Sequence, residues 1–265
     1  MSNAQAAAVV VMATTSAVMW WFWWQRWKTT GAIWTKAESA RVPLNPLAVI
    51  LALGMIGLML GSMLLPILRP LPAEHDGLPK IDDVWRACLI NGILVLVLLS
   101  VLSGSVDRPL AAFRFGLANW RRQFADGLET VLASFLPVLV VLLATLPFRS
   151  EKQTHGYLRL LQQDASPPTV GAVLFAAVVL APLLEELLFR VILLEWLKTR
   201  VTAAEAIAVS SVAFAVVHGP LDGVALLPLA ILLGCLYDAK RSFWSVFVAH
   251  ACFNLWNIAL TMSSN

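Results

Sequence analysis

The sequence predicts an all-α, polytopic membrane helix bundle of about eight transmembrane helices. Three observations carry that expectation. Of 265 residues, 59% are hydrophobic and only 13% charged, whereas a soluble domain is about 45–50% apolar and about 25% charged. Mean hydropathy is +0.78. Eight apolar runs follow one another, and crossing the hydrocarbon takes about 20 residues as a helix.

In chain order the runs are Ala6–Trp24, Leu44–Leu68, Val84–Leu102, Leu128–Pro147, Thr169–Leu197, Ala203–Val217, Leu221–Tyr237 and Phe243–Leu260. The first does not read as a signal peptide. "MSNAQ" carries no Lys or Arg, and no small-residue cleavage site precedes "WWFWWQRWK". Trp20 to Trp27 instead read as an interfacial belt at the end of a retained helix. The sixth and seventh runs are short for spans and are expected to sit partly in a cavity.

Between the runs, "FGLANWRRQFADGLE" (Phe115 to Glu129) reads as a segment on the membrane surface, with Trp120 and the arginine pair favouring the interface. "GYLRLLQ" reads as a second surface helix, stopped by "SPP". Thr202-Ala-Ala-Glu205 fits a capping box at the start of the sixth run, and Ser242 fits an N-cap for the eighth. The loops after spans one, three, five and seven hold twelve Lys and Arg, against six in the other loops and tails. The positive-inside rule then puts both termini on the non-cytoplasmic side, in a cell membrane if the source is bacterial. The net charge of +3 includes no long basic block, so no nucleic-acid partner is expected. Cys88, Cys235 and Cys252 all lie in apolar runs without a CxxC pair and read as small buried hydrophobes.

Ionisable residues divide the chain. Residues 1–148 read as four hydrophobic helices, 149–168 as a polar connecting segment, and 169–265 as a second helical half of the same membrane domain. That half holds nearly all the buried charge. Glu186 and Arg190 in "EELLFR" are an i, i+4 pair on one helix face, so Arg190 can neutralise Glu186. Glu185 lies about 100° around the helix and points elsewhere. "FAVVH" sets Phe214 one turn before His218, and "HACFN" puts His250 and Asn254 on one face. Singly, each has an ordinary structural explanation: an ion pair, an interfacial histidine, polar contacts between helices. Together, two carboxylates, a guanidinium and two imidazoles cannot all face lipid, because an ionised side chain at the bilayer centre costs at least about 2.5–3.5 kcal/mol. They are expected to converge on an interior cavity.

"EELLFR", "FAVVH" and "HACFN" fit EExxxR, FxxxH and HxxxN in that order, with no departure at the motif positions. The stretch from about Pro167 to Leu260 thereby resembles the CPBP family, the CAAX-protease and bacteriocin-processing (Abi) intramembrane endopeptidases. The first four helices match it only in being hydrophobic. The resemblance implies a peptide-bond hydrolase acting on membrane-associated peptides or proteins, with a lipidated C-terminal tail as one substrate class. It makes Glu185 the general base for a water that His218 helps to hold, and Glu186 an oriented partner locked by Arg190. It makes His250 and Asn254 donors to the oxyanion of the tetrahedral intermediate.

That mechanism requires no cofactor. The alternative is a metal site, because two His and one Glu (His218, His250, Glu185) are also the ligands of a catalytic zinc. Two further functions stay open. Intramembrane Glu and His chains also mark transporters and proton relays, although a transporter would more often repeat its broken helices in both halves. A non-catalytic, immunity-type scaffold is the third. Membrane lipid is an obligate partner under every reading, and oligomeric state is not legible.

Overall fold

The computed structural model describes residues 3–37, 44–68, 79–104, 115–117, 119–149 and 156–263. Among these, nine helices and no strand are present: α1 Asn3–Thr30, α2 Pro46–Leu68, α3 Ile81–Ser103, α4 Trp120–Thr145, α5 Gly156–Gln163, α6 Pro167–Leu197, α7 Ala203–Val217, α8 Pro220–Lys240 and α9 Phe243–Met262. Seven are long and apolar enough to cross a membrane. The exception among the expected spans is α7, whose 15 residues reach only about 1.5 Å each. Part of the connecting segment, residues 150–155, lies outside the described residues.

The surface segment expected at Phe115–Glu129 is a correction. From Trp120 onward these residues form the opening turns of the 26-residue α4. Interhelical contact explains the continuity. A Cβ on Gly127 would stand 2.6 Å from the Ser245 carbonyl oxygen and 2.9 Å from Val248 Cβ, so glycine lets α9 lie directly against α4. The "GYLRLLQ" helix is present as α5 and buries Leu160 and Leu161. "SPP" does more than end it: Ser166 is the N-cap of α6 and Pro167 its first residue, where a missing N–H costs nothing.

Both expected caps form. The Thr202 hydroxyl accepts from the Glu205 amide at 3.3 Å, and the Thr202 amide donates to Glu205 Oε2 at 2.9 Å. The same Thr202 hydroxyl and amide hold the Glu205 carboxyl below the usual range. Ser242 Oγ accepts from the Ser245 amide at 3.3 Å.

The core runs through α6. Leu188, Phe189, Leu194, Phe214, Leu229, Leu233, Val246 and Ala249 share one buried cluster. Helices α2 and α3 line α6 on one side, and α7, α8 and α9 line it elsewhere. Helix α4 packs against α1, α8 and α9. Its Pro137 has no N–H for the Ala133 carbonyl four residues back. Two side chains of α1 replace that bond: Ser16 Oγ donates to Ala133 O at 2.9 Å and Trp20 Nε1 at 2.8 Å. This is how a proline is tolerated where water cannot serve the carbonyl. It also gives the Trp-rich segment an inner face, with Trp23 buried against Trp34 at 4.9 Å between ring centroids.

At the end of α6, Glu195 meets Lys198 at 3.4 Å and also Arg241, while Lys198 meets Asp238. These charges tie α6 to the α8–α9 turn, and Lys240 pairs with Asp126 of α4 at 3.0 Å.

The α6–α9 half is thus tied at the α8–α9 turn, and the contact between α7 and α8 is especially close. A Cβ on Gly223 would overlap the Ala215 carbonyl oxygen. Gly223→Ala is expected to lower stability by about 1–3 kcal/mol through overpacking. A detergent melt with an unchanged midpoint would refute this account of the turn.

Candidate active site

Helix α6 is not a uniform α-helix. Phe175–Leu180 and Leu187–Leu194 are π-helical, with i→i+5 bonding, and Ala181–Glu186 between them is α-helical. Such bulges are rare and concentrate at functional sites. Glu185 and Glu186 end the α-helical piece, and Arg190 lies within the second π piece.

Glu186 and Arg190 are fully buried, and their Oε2 and Nε approach to 3.2 Å. The intrahelical pair predicted from spacing is therefore present. A partner that spacing could not predict shares Glu186: His250 Nδ1, from α9, stands 2.8 Å from Glu186 Oε1. Beneath the guanidinium lies Phe214, 5.1 Å from Arg190 Cζ to the ring centroid. The Phe214 ring also packs on His218 at 4.5 Å and on His250 at 5.6 Å. This fully buried aromatic closes the floor of the site against water.

The two imidazoles have defined tautomers. His218 Nδ1 lies 2.7 Å from the Phe214 carbonyl oxygen. A carbonyl only accepts, so Nδ1 carries the hydrogen. His250 Nδ1 faces an acceptor too, the Glu186 carboxylate. A ring that is neutral therefore keeps its lone pair on Nε2, and both Nε2 atoms turn to the same oxygen. Glu185 Oε2 is 3.5 Å from His218 Nε2 and 3.7 Å from His250 Nε2. That oxygen is buried without a hydrogen-bond partner among the described residues. Three acceptors just beyond direct bonding distance are spaced for a small donor between them.

Asn254, one turn after His250, is not turned to that centre by the contact seen. Its Nδ2 donates to the Ala177 carbonyl oxygen of α6 at 2.8 Å. Of the six residues predicted from sequence, Glu185, Glu186, Arg190, His218 and His250 share one cluster, and Asn254 holds the flank of the same helix. Among the described residues, no group of three or more His, Cys, Asp or Glu side chains is disposed to hold a metal ion.

The sequence reading missed Arg149. Its Nη1 meets Asp222 Oδ1 at 2.7 Å, its Nη2 donates to the Leu221 carbonyl at 2.7 Å, and its Nε donates to Thr145 Oγ1 at 3.2 Å. These bonds fasten α4 to the turn that follows His218, where Gly219 takes φ +89°. Asp222 is half-exposed, so the ion pair contributes little and the carbonyl bond about 1 kcal/mol. Arg149→Ala is expected to lower the detergent melting midpoint modestly and to weaken activity through the His218 turn. An unchanged midpoint would show that the clamp is incidental.

Residues 167–256 match the family model described as Type II CAAX prenyl endopeptidase Rce1-like. The match begins at the first residue of α6, contains all six predicted site residues, and leaves α1 to α5 unmatched. No curated protein and no solved structure matches the chain. The family match supports the CPBP resemblance and a protease activity in general. With seven apolar helices of spanning length, it supports a multi-pass integral membrane protein.

Proposed function

We propose that this protein is an intramembrane endopeptidase that hydrolyses a peptide bond with a water activated by Glu185. The observation that carries the reading is the convergence of His218 Nε2 and His250 Nε2 on Glu185 Oε2. A water placed between them donates one hydrogen to the Glu185 carboxylate, which takes that proton, and its other hydrogen to one imidazole Nε2. A positioned base of this kind contributes about 10²–10⁴-fold.

The chemistry follows from those contacts. Glu185 takes the water proton as the water oxygen bonds to the peptide carbonyl carbon. The C–N bond of the tetrahedral intermediate then breaks, and the proton passes to the leaving amine. Charge balance supports such a relay: two carboxylates, Glu185 and Glu186, oppose one guanidinium, so the cluster can hold and share the one proton taken from the water. Both Nδ1 atoms are committed to acceptors, which leaves the Nε2 atoms as the places where the shared proton can move. Glu186, held by Arg190, fixes the ring plane of His250 through Nδ1. Donors to the oxyanion, which are worth about 2.7–4 kcal/mol each, are His250 when it carries that proton and the second amide hydrogen of Asn254.

The substrate is a peptide or the tail of a membrane-associated protein, with a lipidated C-terminal tail favoured by the family match. The mechanism assigns no step to a metal; Glu185, His218 and His250 would be the ligands of one, and chelation distinguishes the two readings. Purified protein in detergent, assayed on matched peptides with and without a C-terminal prenyl group, tests the proposal. Cleavage that survives chelation, with preference for the prenylated peptide, is the expected result. Loss of activity to chelators with recovery by zinc would replace the water mechanism by the metal one. Absence of any cleavage, together with proton-coupled solute uptake in vesicles, would favour a transporter.

A further inference from the structure

We infer that Pro182 is a positioning residue, which acts by freeing a backbone carbonyl for Asn254 to grip. The first π-helical piece of α6 ends on a bond from the Ala181 amide to the Ala176 carbonyl. In that i→i+5 register, the next carbonyl, that of Ala177, would accept from residue 182. Residue 182 is proline and has no N–H. The Ala177 carbonyl receives the Asn254 amide at 2.8 Å instead.

The molecule uses the same device elsewhere: Pro137 leaves the Ala133 carbonyl to Ser16 and Trp20. At Pro182 the consequence reaches the site. Helix α9 touches α6 through two polar contacts one α9 turn apart, His250 on Glu186 and Asn254 on Ala177. A single polar contact would leave the rotation of α9 to its apolar packing alone. Two contacts set the rotation, and with it the direction in which His250 Nε2 points. Asn254 keeps a second amide hydrogen, whose direction the first one fixes.

An alanine at 182 supplies the missing N–H. It competes for the Ala177 carbonyl, releases Asn254 and loosens the aim of His250. The effect on turnover rests on the peptidase reading above, whereas the grip itself is readable from stability alone.

The test is a double-mutant cycle on the full chain in detergent, using Pro182→Ala and Asn254→Ala, alone and together. A fourth protein carries lactic acid at 182, which has no N–H and no ring. In the native chain Asn254→Ala strands the Ala177 carbonyl and is expected to lower the melting midpoint by about 2–4 °C. With alanine at 182 the same change should cost clearly less. Pro182→Ala should lower kcat several-fold with KM unchanged, and lactic acid at 182 should restore it.

Equal penalties for Asn254→Ala in both backgrounds would overturn the inference, as would a lactic acid variant no more active than the alanine one. If Pro182→Ala fails to fold, the lactic acid chain decides: it must keep the full Asn254 dependence of the midpoint, and losing it overturns the grip. If the native protein cleaves nothing, the peptidase reading falls and the stability cycle still judges the grip.

Discussion

Replacing Glu185 with Gln is expected to cut peptide cleavage at least about 10²-fold while the fold survives. Glutamine keeps the length of the side chain and removes the base. It also supplies an amide donor where Oε2 now faces two imidazole lone pairs at 3.5 and 3.7 Å. The substitution is therefore expected to satisfy the neighbouring rings, and a melting midpoint at or above that of the native protein should accompany the loss of turnover. His218→Gln should weaken cleavage less, because a water held by Glu185 and His250 remains. Cleavage rates and detergent melts on the three proteins provide the check. Native-like turnover by the Glu185→Gln protein would remove Glu185 from the role of base and the proposed mechanism with it.

What the sequence made legible were side-chain relations set by spacing along one helix. Helical spacing put Glu186 with Arg190, turned Glu185 away from them and stacked Phe214 on His218, and the structure has all three. Capping chemistry placed the starts of α7 and α9. Contacts between helices were not legible, because periodicity within a helix says nothing about its neighbour. His250 on Glu186 and Arg149 on the α8 start belong to this class.

Two signals could have been read and were not. Pro137 and Pro182 each announce a carbonyl without its helical donor, and each finds a polar side chain on another helix. Gly127 announces a close approach, and overlooking it turned the first turns of α4 into a surface segment. In an apolar chain such residues carry more positional information than the leucines around them.

Breaking the buried ion pair is expected to have the larger effect on stability. Arg190 is fully buried, its guanidinium lies 3.2 Å from Glu186 and 5.1 Å from the centre of the Phe214 ring, and Glu185 adds a second negative charge nearby. Arg190→Ala removes the cation and leaves Glu186 ionised in a site of low dielectric. Severing a buried pair in this way costs about 3–5 kcal/mol. His250 Nδ1 still donates to the stranded carboxylate, so the lower end of that range is expected, with loss of both folding yield and cleavage. Changing Glu186 to Gln and Arg190 to Met together leaves no unpaired charge. The carbonyl oxygen of the new side-chain amide can still accept from His250 Nδ1, and methionine fills the space over Phe214. Most of the stability should return, because apolar replacements of a buried pair are often neutral or stabilising. Activity should recover less, since an ionised Glu186 orients His250 more firmly than an amide does. The three proteins are to be compared by thermal melts in detergent and by cleavage of one peptide. A stable Arg190→Ala beside an unfolded Glu185→Gln would exchange the roles given to the two glutamates: Glu185 would then be the structural carboxylate and Glu186 the reactive one.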